Sequence, residues 1–124
     1  MTPEAALYQF LSGFQIPAYV ATATPSEADF PYLTYTPVEG DWDSGEVAVQ
    51  ANLWYRTESE ALPNSKVRDI SRAIGRGGVT VPCDDGMLWI KRGSPWAQTV
   101  RVDGEDEKIK RRYLNLSIEY LIPE

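Results

Sequence analysis

No histidine occurs among the 124 residues, and Cys83 is the single cysteine. Without imidazole there is no Ser-His-Asp or Cys-His catalytic set, and the commonest zinc ligand is missing. One cysteine closes no internal disulfide and fits a reducing compartment. Asp84 and Asp85 follow Cys83 directly, and their charge raises a thiol pKa, which makes a reactive nucleophile there unexpected. Long hydrophobic runs are also lacking. No stretch approaches the roughly 20 apolar residues of a membrane helix. The start Met1-Thr2-Pro3-Glu4 lacks the basic residues and apolar segment of a signal peptide. The net charge of -6 argues against nonspecific binding to nucleic acid.

What is present is an ordinary globular composition, 43% hydrophobic and 24% charged. That length and composition predict one domain over residues 1-124, with a single core and no long disordered tract. The charge is unevenly placed. Residues 1 to 65 hold nine acids and one base, Arg56, a net of -8, whereas residues 66 to 124 hold nine acids and eleven bases, a net of +2; together these restore the -6. A protomer divided this way suits head-to-tail contact with its own copies, unless folding mixes the two halves on the surface.

Hydrophobic spacing predicts the elements. Thr2 is an N-cap, Pro3 suits the first helical position, and Leu7, Phe10, Leu11 and Phe14 repeat at i, i+3, i+4, i+7, so a helix runs from Pro3 to about Ser12. Ala18 to Ala21 is extended. Phe30 to Val38 is a strand with Pro31 and Pro37 at its ends, and Glu46 to Arg56 alternates as its antiparallel partner. A second helix, interrupted by Pro63, is firmest from Asn64 to Ile74; Val67, Ile70, Ala73 and Ile74 share one side, and Arg68, Arg72 and Arg76 stripe the other. Gly75, Gly77 and Gly78 stop it. Val79 to Val81 is a short strand, and Met87 to Arg92 and Trp96 to Val102 are two more separated by a break at Gly93-Ser94-Pro95. From Arg112 to Ile122 the alternation is cleanest, with Leu114, Leu116, Ile118, Tyr120 and Ile122 on one face. Such a tail suits a sheet edge or an assembly surface. The order predicts an α+β fold, a mostly antiparallel β-sheet flanked by two α-helices on one side.

No catalytic constellation emerges. Asp41 with Asp43, Asp84 with Asp85, and Glu105-Asp106-Glu107 are the candidate carboxylate groups, but none has EF-hand spacing and each lies where a turn requires polar residues. Gly75-Arg76-Gly77-Gly78 follows a helix instead of opening one, so the dipole is wrong for phosphate. We expect neither a metal, a cofactor nor an enzymatic activity. Trp42, Trp54, Trp89 and Trp96 admit a platform for a sugar or peptide, yet aromatics are also enriched in protein interfaces. Trp54 and Trp96 are the two most suited to meeting a partner. The Arg68, Arg72, Arg76 stripe is either a solvated helix face or a contact to the acidic part of a neighbour.

From Phe30 to the C-terminus the layout resembles the tail terminator, or tail completion, proteins of long-tailed bacteriophages. The residues carrying the resemblance are Leu53-Trp54-Tyr55-Arg56, the helix Asn64 to Ile74, the run Trp89 to Gln98, and Ile109 to Leu116 leading into the closing strand Tyr113 to Tyr120. The loop Glu39 to Gly45, with Trp42, departs from that pattern. The resemblance implies a non-enzymatic α+β virion protein, assembled in the host cytoplasm. It implies a ring, usually a hexamer, that caps the tail tube and receives the head connector, so its partners are its own copies, the tube protein and the connector protein. On that reading Arg68, Arg72, Arg76, Lys108, Lys110, Arg111 and Arg112 are candidates for the subunit interface. Asp41, Trp42, Asp43, Trp54, Trp96, Glu105, Asp106 and Glu107 are candidates for contact with tube or connector. The alternatives are a neighbouring head-completion or minor tail protein, and a small tryptophan-lined binding module.

Overall fold

A computed structural model describes residues 1–38, 41–42, 45–104 and 106–123. The element order is α1 (Pro3–Leu11), β1 (Ala18–Val20), a 3-10 turn (Ala21–Ala23), β2 (Tyr32–Tyr35), β3 (Glu46–Arg56), α2 (Ala61–Ile74), β4 (Val79–Cys83), β5 (Gly86–Val100) and β6 (Ile109–Leu121). The six strands form one sheet in the order β1-β2-β3-β6-β5-β4. All neighbours are antiparallel except β1 and β2, which run parallel. The fold is α+β, and the parallel pair is the addition that local pattern did not predict.

Period-two alternation sorts the side chains of the central strands. Val49, Ala51, Leu53 and Tyr55 of β3 are buried beside Leu114, Leu116 and Ile118 of β6, and Leu88 and Ile90 of β5 extend the same layer. Leu7 and Leu11 of α1 and Ile70 and Ile74 of α2 close over that layer, giving one continuous core. Removing such a side chain, as in Leu53→Ala, typically costs about 2–5 kcal/mol. α1 starts where expected, because Thr2 Oγ1 accepts from the Ala5 N–H at 3.1 Å. α2 runs unbroken from Ala61, directly after Glu58-Ser59-Glu60, so the interruption expected at Pro63 does not occur. Pro63 falls in its first turn, where a missing N–H costs no helical bond, and its ring is buried.

Three expectations about the strands are corrected. Met87–Arg92 and Trp96–Val102 are not two strands but one, β5, which crosses Gly93-Ser94-Pro95 through a bulge: only Asn115 of β6 separates the partners of Arg92 and Ala97. Gly93 is required there, because an added Cβ meets the Asn115 side chain at 2.8 Å and its carbonyl oxygen at 3.0 Å. The closing strand β6 is not a sheet edge; it lies between β3 and β5, which is why its apolar alternation is so regular. Ile122 lies past the end of β6 and is exposed, and Ala73 of α2 is exposed as well. Phe30–Val38 shortens to the four residues of β2, leaving Pro31 and Pro37 outside the ladder as their lack of an N–H demands.

Candidate assembly surfaces

The two helices cover one face of the sheet and leave the other open. On the open face the register aligns two rows of side chains. One is Tyr32, Trp54, Arg111 and Val100, across β2, β3, β6 and β5. The next is Tyr19, Thr34, Asn52, Tyr113 and Gln98, which begins on β1. The side chains fix one another. Tyr32 stacks on Trp54 with centroids 6.3 Å apart, and Tyr19 and Phe30 meet Tyr32 at 6.0 and 5.2 Å. The Trp54 indole N–H donates to Thr34 Oγ1 at 2.9 Å. The Arg111 guanidinium lies 5.3 Å from the Trp54 ring centre and 5.9 Å from that of Tyr113, while its Nε donates to Asn52 Oδ1 at 2.6 Å. Partial burial among these rings, and then the neighbouring Tyr19, push the Tyr32 hydroxyl pKa up. A preordered group of Tyr, Trp and Arg on an uncovered face has the composition of an interface centre.

The arginine stripe is a second surface. Arg68, Arg72 and Arg76 are exposed, and none forms an ion pair among the described residues. Gly75 ends the helix at φ +77°, with its N–H donating to the Ser71 carbonyl, so the glycine cluster is a helix stop. Gly78 does further work: at φ +91° its Cβ position is 2.6 Å from the Trp89 indole nitrogen, and Trp89 donates to the Gly77 carbonyl at 2.9 Å.

The third region is the tip of the β5–β6 hairpin, where the predicted basic cluster is largely engaged within the chain. Lys108 lies 3.8 Å from Glu58; Lys110 lies 3.9 Å from Glu60 and donates to the Glu107 carbonyl at 2.8 Å. Asp106 bonds Arg56 at 2.8 Å, and that bond, with the Lys108 N–H, holds its carboxyl below the usual range. An open polar groove of about 550 Å³ runs along Thr99 to Gly104 and Ile109 to Arg112.

Several expected contact residues are placed differently. Arg112 is 4% exposed, bonded to Glu60, to Asn64 Oδ1 at 3.0 Å and to the Arg111 carbonyl; it ties β6 to the start of α2 and is not a surface cation. Trp42 is 7% exposed, with its indole N–H donating to Glu4 Oε1 at 2.7 Å, so most of its surface packs within the chain against α1. Trp96 is half-buried against the core, and its indole nitrogen is buried with no acceptor among the described residues. Asp41 and Glu107 are exposed, whereas Asp43 and Glu105 lie outside the described residues. Cys83 has its thiol pKa raised by burial first and by Asp84 next. Asp84 itself pairs with the amino group of Met1.

No tryptophan platform is assembled. Trp54 and Trp89 share the open face, but their β6 partners are Arg111 and Glu119, about eight residues or roughly 26 Å apart along the strand. Sequence spacing alone had no means of finding the Tyr32-Trp54-Arg111 row, since it depends on β3 pairing with a strand more than 50 residues later.

No protein-family model matches the chain, and no curated protein matches it. Among solved structures the fold is similar to a chain in the virion of a native gene transfer agent particle, with a TM-score of 0.64 and 19% identity over 96% of this chain and 94% of that one.

Proposed function

We propose that this chain is a structural component of a phage-like virion, and within it a tail terminator: a ring of copies that caps the tail tube and joins it to the head connector. The carrying observation is the fold shared, over nearly the full length of both chains, with a component of a gene transfer agent virion. Three features support it. Arg68, Arg72 and the Tyr32-Trp54-Arg111 row lie on broad, open surfaces of the described residues. The open sheet face carries an aromatic and arginine group preordered for a protein partner. Arg68 and Arg72 on α2, with Arg76 in the turn just past its end, form an exposed basic ridge that can meet acidic groups of an adjacent copy.

In this reading the ridge and the hairpin side chains Lys108 and Lys110 face the neighbouring copy, and the Trp54 face meets tube or connector. Electron microscopy of assembled particles tests the assignment. One ring of this chain per particle, between tail tube and head, is the expected result. A position along the tube, at the distal tip or in the head shell removes the terminator role.

A further inference from the structure

One stretch of sheet edge is bare although it belongs to an inner strand. β4 pairs with β5 only from Gly86 to Ile90, whereas β6 stays paired with β5 out to Val100. From Ala97 to Val100, β5 therefore has a strand on one side and, among the described residues, none on the other, and Gln98 and Thr99 are exposed. Unpaired N–H and C=O groups along such an edge are a template for another strand, and natural sheets blunt them with proline, charge, bulges or cover. β4 is blunted by Pro82, and the Asp84 N–H at its end donates to the Met1 carbonyl. Ala97-Gln98-Thr99-Val100 contains neither proline nor charge.

The flanks of this edge are cationic. Arg101 follows directly and is exposed. Arg92 is exposed and donates to Ser71 Oγ at 2.8 Å, which places Ser71 on the β5 side of α2. Arg68 is three residues before Ser71 and shares that flank.

At the other side of the sheet lies β1, paired with β2 alone. The segment leaving it carries Glu27 and Asp29, both exposed and neither in an ion pair among the described residues. No lysine or arginine occurs from residue 1 to residue 55. We propose that the β5 edge at Ala97–Val100 accepts β1 of a second copy, so that one sheet continues into the next, with Arg68, Arg92 and Arg101 set against Glu27 and Asp29. The two edges lie on opposite sides of the molecule, so the contact is head-to-tail, the kind that closes rings or grows filaments. This deepens the ring reading and rests on it.

Disulfide trapping tests the pairing in a Cys83→Ser background. Tyr19 and Gln98 point to the open face, so Tyr19→Cys combined with Gln98→Cys, or with Val100→Cys for the adjacent register, brings thiols together across the contact. Mild oxidation is expected to give a ladder of covalent multimers longer than dimers, while each single-cysteine variant stops at dimer. In otherwise unaltered chains, Arg101→Glu is expected to weaken self-association about tenfold in sedimentation, and adding Glu27→Arg to restore it. No ladder from either pair, or no rescue by the second charge change, overturns the strand pairing. Closed rings in micrographs without a ladder overturn it and leave the ring standing. A ladder that grows into open filaments supports the pairing and removes the ring.

Discussion

Arg112 of β6 and Glu60 at the start of α2 form a charged pair whose partners are unequally buried: the arginine side chain is 4% exposed and the glutamate 58%. The pair has unequal consequences when broken. Glu60→Ala leaves a buried guanidinium with Asn64 and a carbonyl as its neutral partners, a change that costs about 3 kcal/mol or more when a buried charge loses its counterion. Arg112→Met leaves a carboxylate that water can solvate and keeps the packing volume, so its cost is about 1–2 kcal/mol. Urea unfolding of both variants reads the difference, and equal losses would contradict the burial argument.

Acid sensitivity follows from the same carboxylate and two others. Hydrogen bonds from Arg112, Lys91 and Arg56 hold the carboxyls of Glu60, Glu46 and Asp106 below their ordinary values. A lowered folded-state pKa means the unfolded chain binds protons first. The stabilisation is therefore complete above the ordinary glutamate value of 4.5 and is lost as pH falls through the folded-state values beneath it. With no histidine in the chain, side-chain stability should be nearly flat between about pH 6 and about pH 8. Denaturant midpoints measured from about pH 8 down to about pH 3 test this, and a step near neutrality would mean that a group other than these carboxylates contributes.

Trp42 offers a separable test of the α1 contact. Trp42→Ala opens a cavity beside Leu7 and Tyr35 and is expected to cost about 3–5 kcal/mol. Trp42→Phe keeps most of the packing and loses the bond to Glu4, for about 1 kcal/mol. If both variants unfold at the wild-type midpoint, the residue is not the anchor its burial indicates.

The elements with strong local signals were legible in the chain itself. Glu46–Arg56 was readable to the residue because β3 is buried on one face only, and Thr2 marked the start of α1 through its cap. The errors arose where long-range pairing overrides local chemistry. Gly93-Ser94-Pro95 looks like a strand end, but β6 holds β5 together on both sides of it. Lys108 to Arg112 looks like a surface cluster, and only the placement of α2 over β6 shows that Arg112 points inward to Glu60. Trp42 sits in an acidic, turn-rich stretch that suggests exposure, yet Glu4 on α1 supplies an acceptor for its indole 38 residues away.

Arg72→Glu is the direct test of the α2 ridge as a subunit contact. The side chain is exposed, so a charge reversal should change folding stability by no more than about 0.5–1 kcal/mol, part of it from the lost favourable charge in the last helical turn. Ring formation, followed by light scattering at concentrations where the unaltered chain assembles, is expected to drop sharply. An oligomer of unchanged size would remove this face from the interface.

The open sheet face makes a stronger demand, because its central residues support one another. Trp54→Ala removes the stacking partner of Tyr32, the ring beneath Arg111 and the donor to Thr34 at once. Trp54 is half-buried on the side away from the core, so the chain should still fold, with a loss of about 1–3 kcal/mol. Arg111→Glu reverses charge at the same place while leaving the rings. Both variants are expected to form copy-to-copy contacts normally and to fail to join particles, measured as the protein recovered with purified virions. Arg111→Lys separates charge from geometry: an ammonium keeps the cation but loses the planar stacking and the Nε bond to Asn52, so incorporation should fall between the unaltered and reversed chains. Full incorporation of Arg111→Glu would mean that the uncovered face points to solvent in the particle, and that tube and connector are met by the hairpin tip instead.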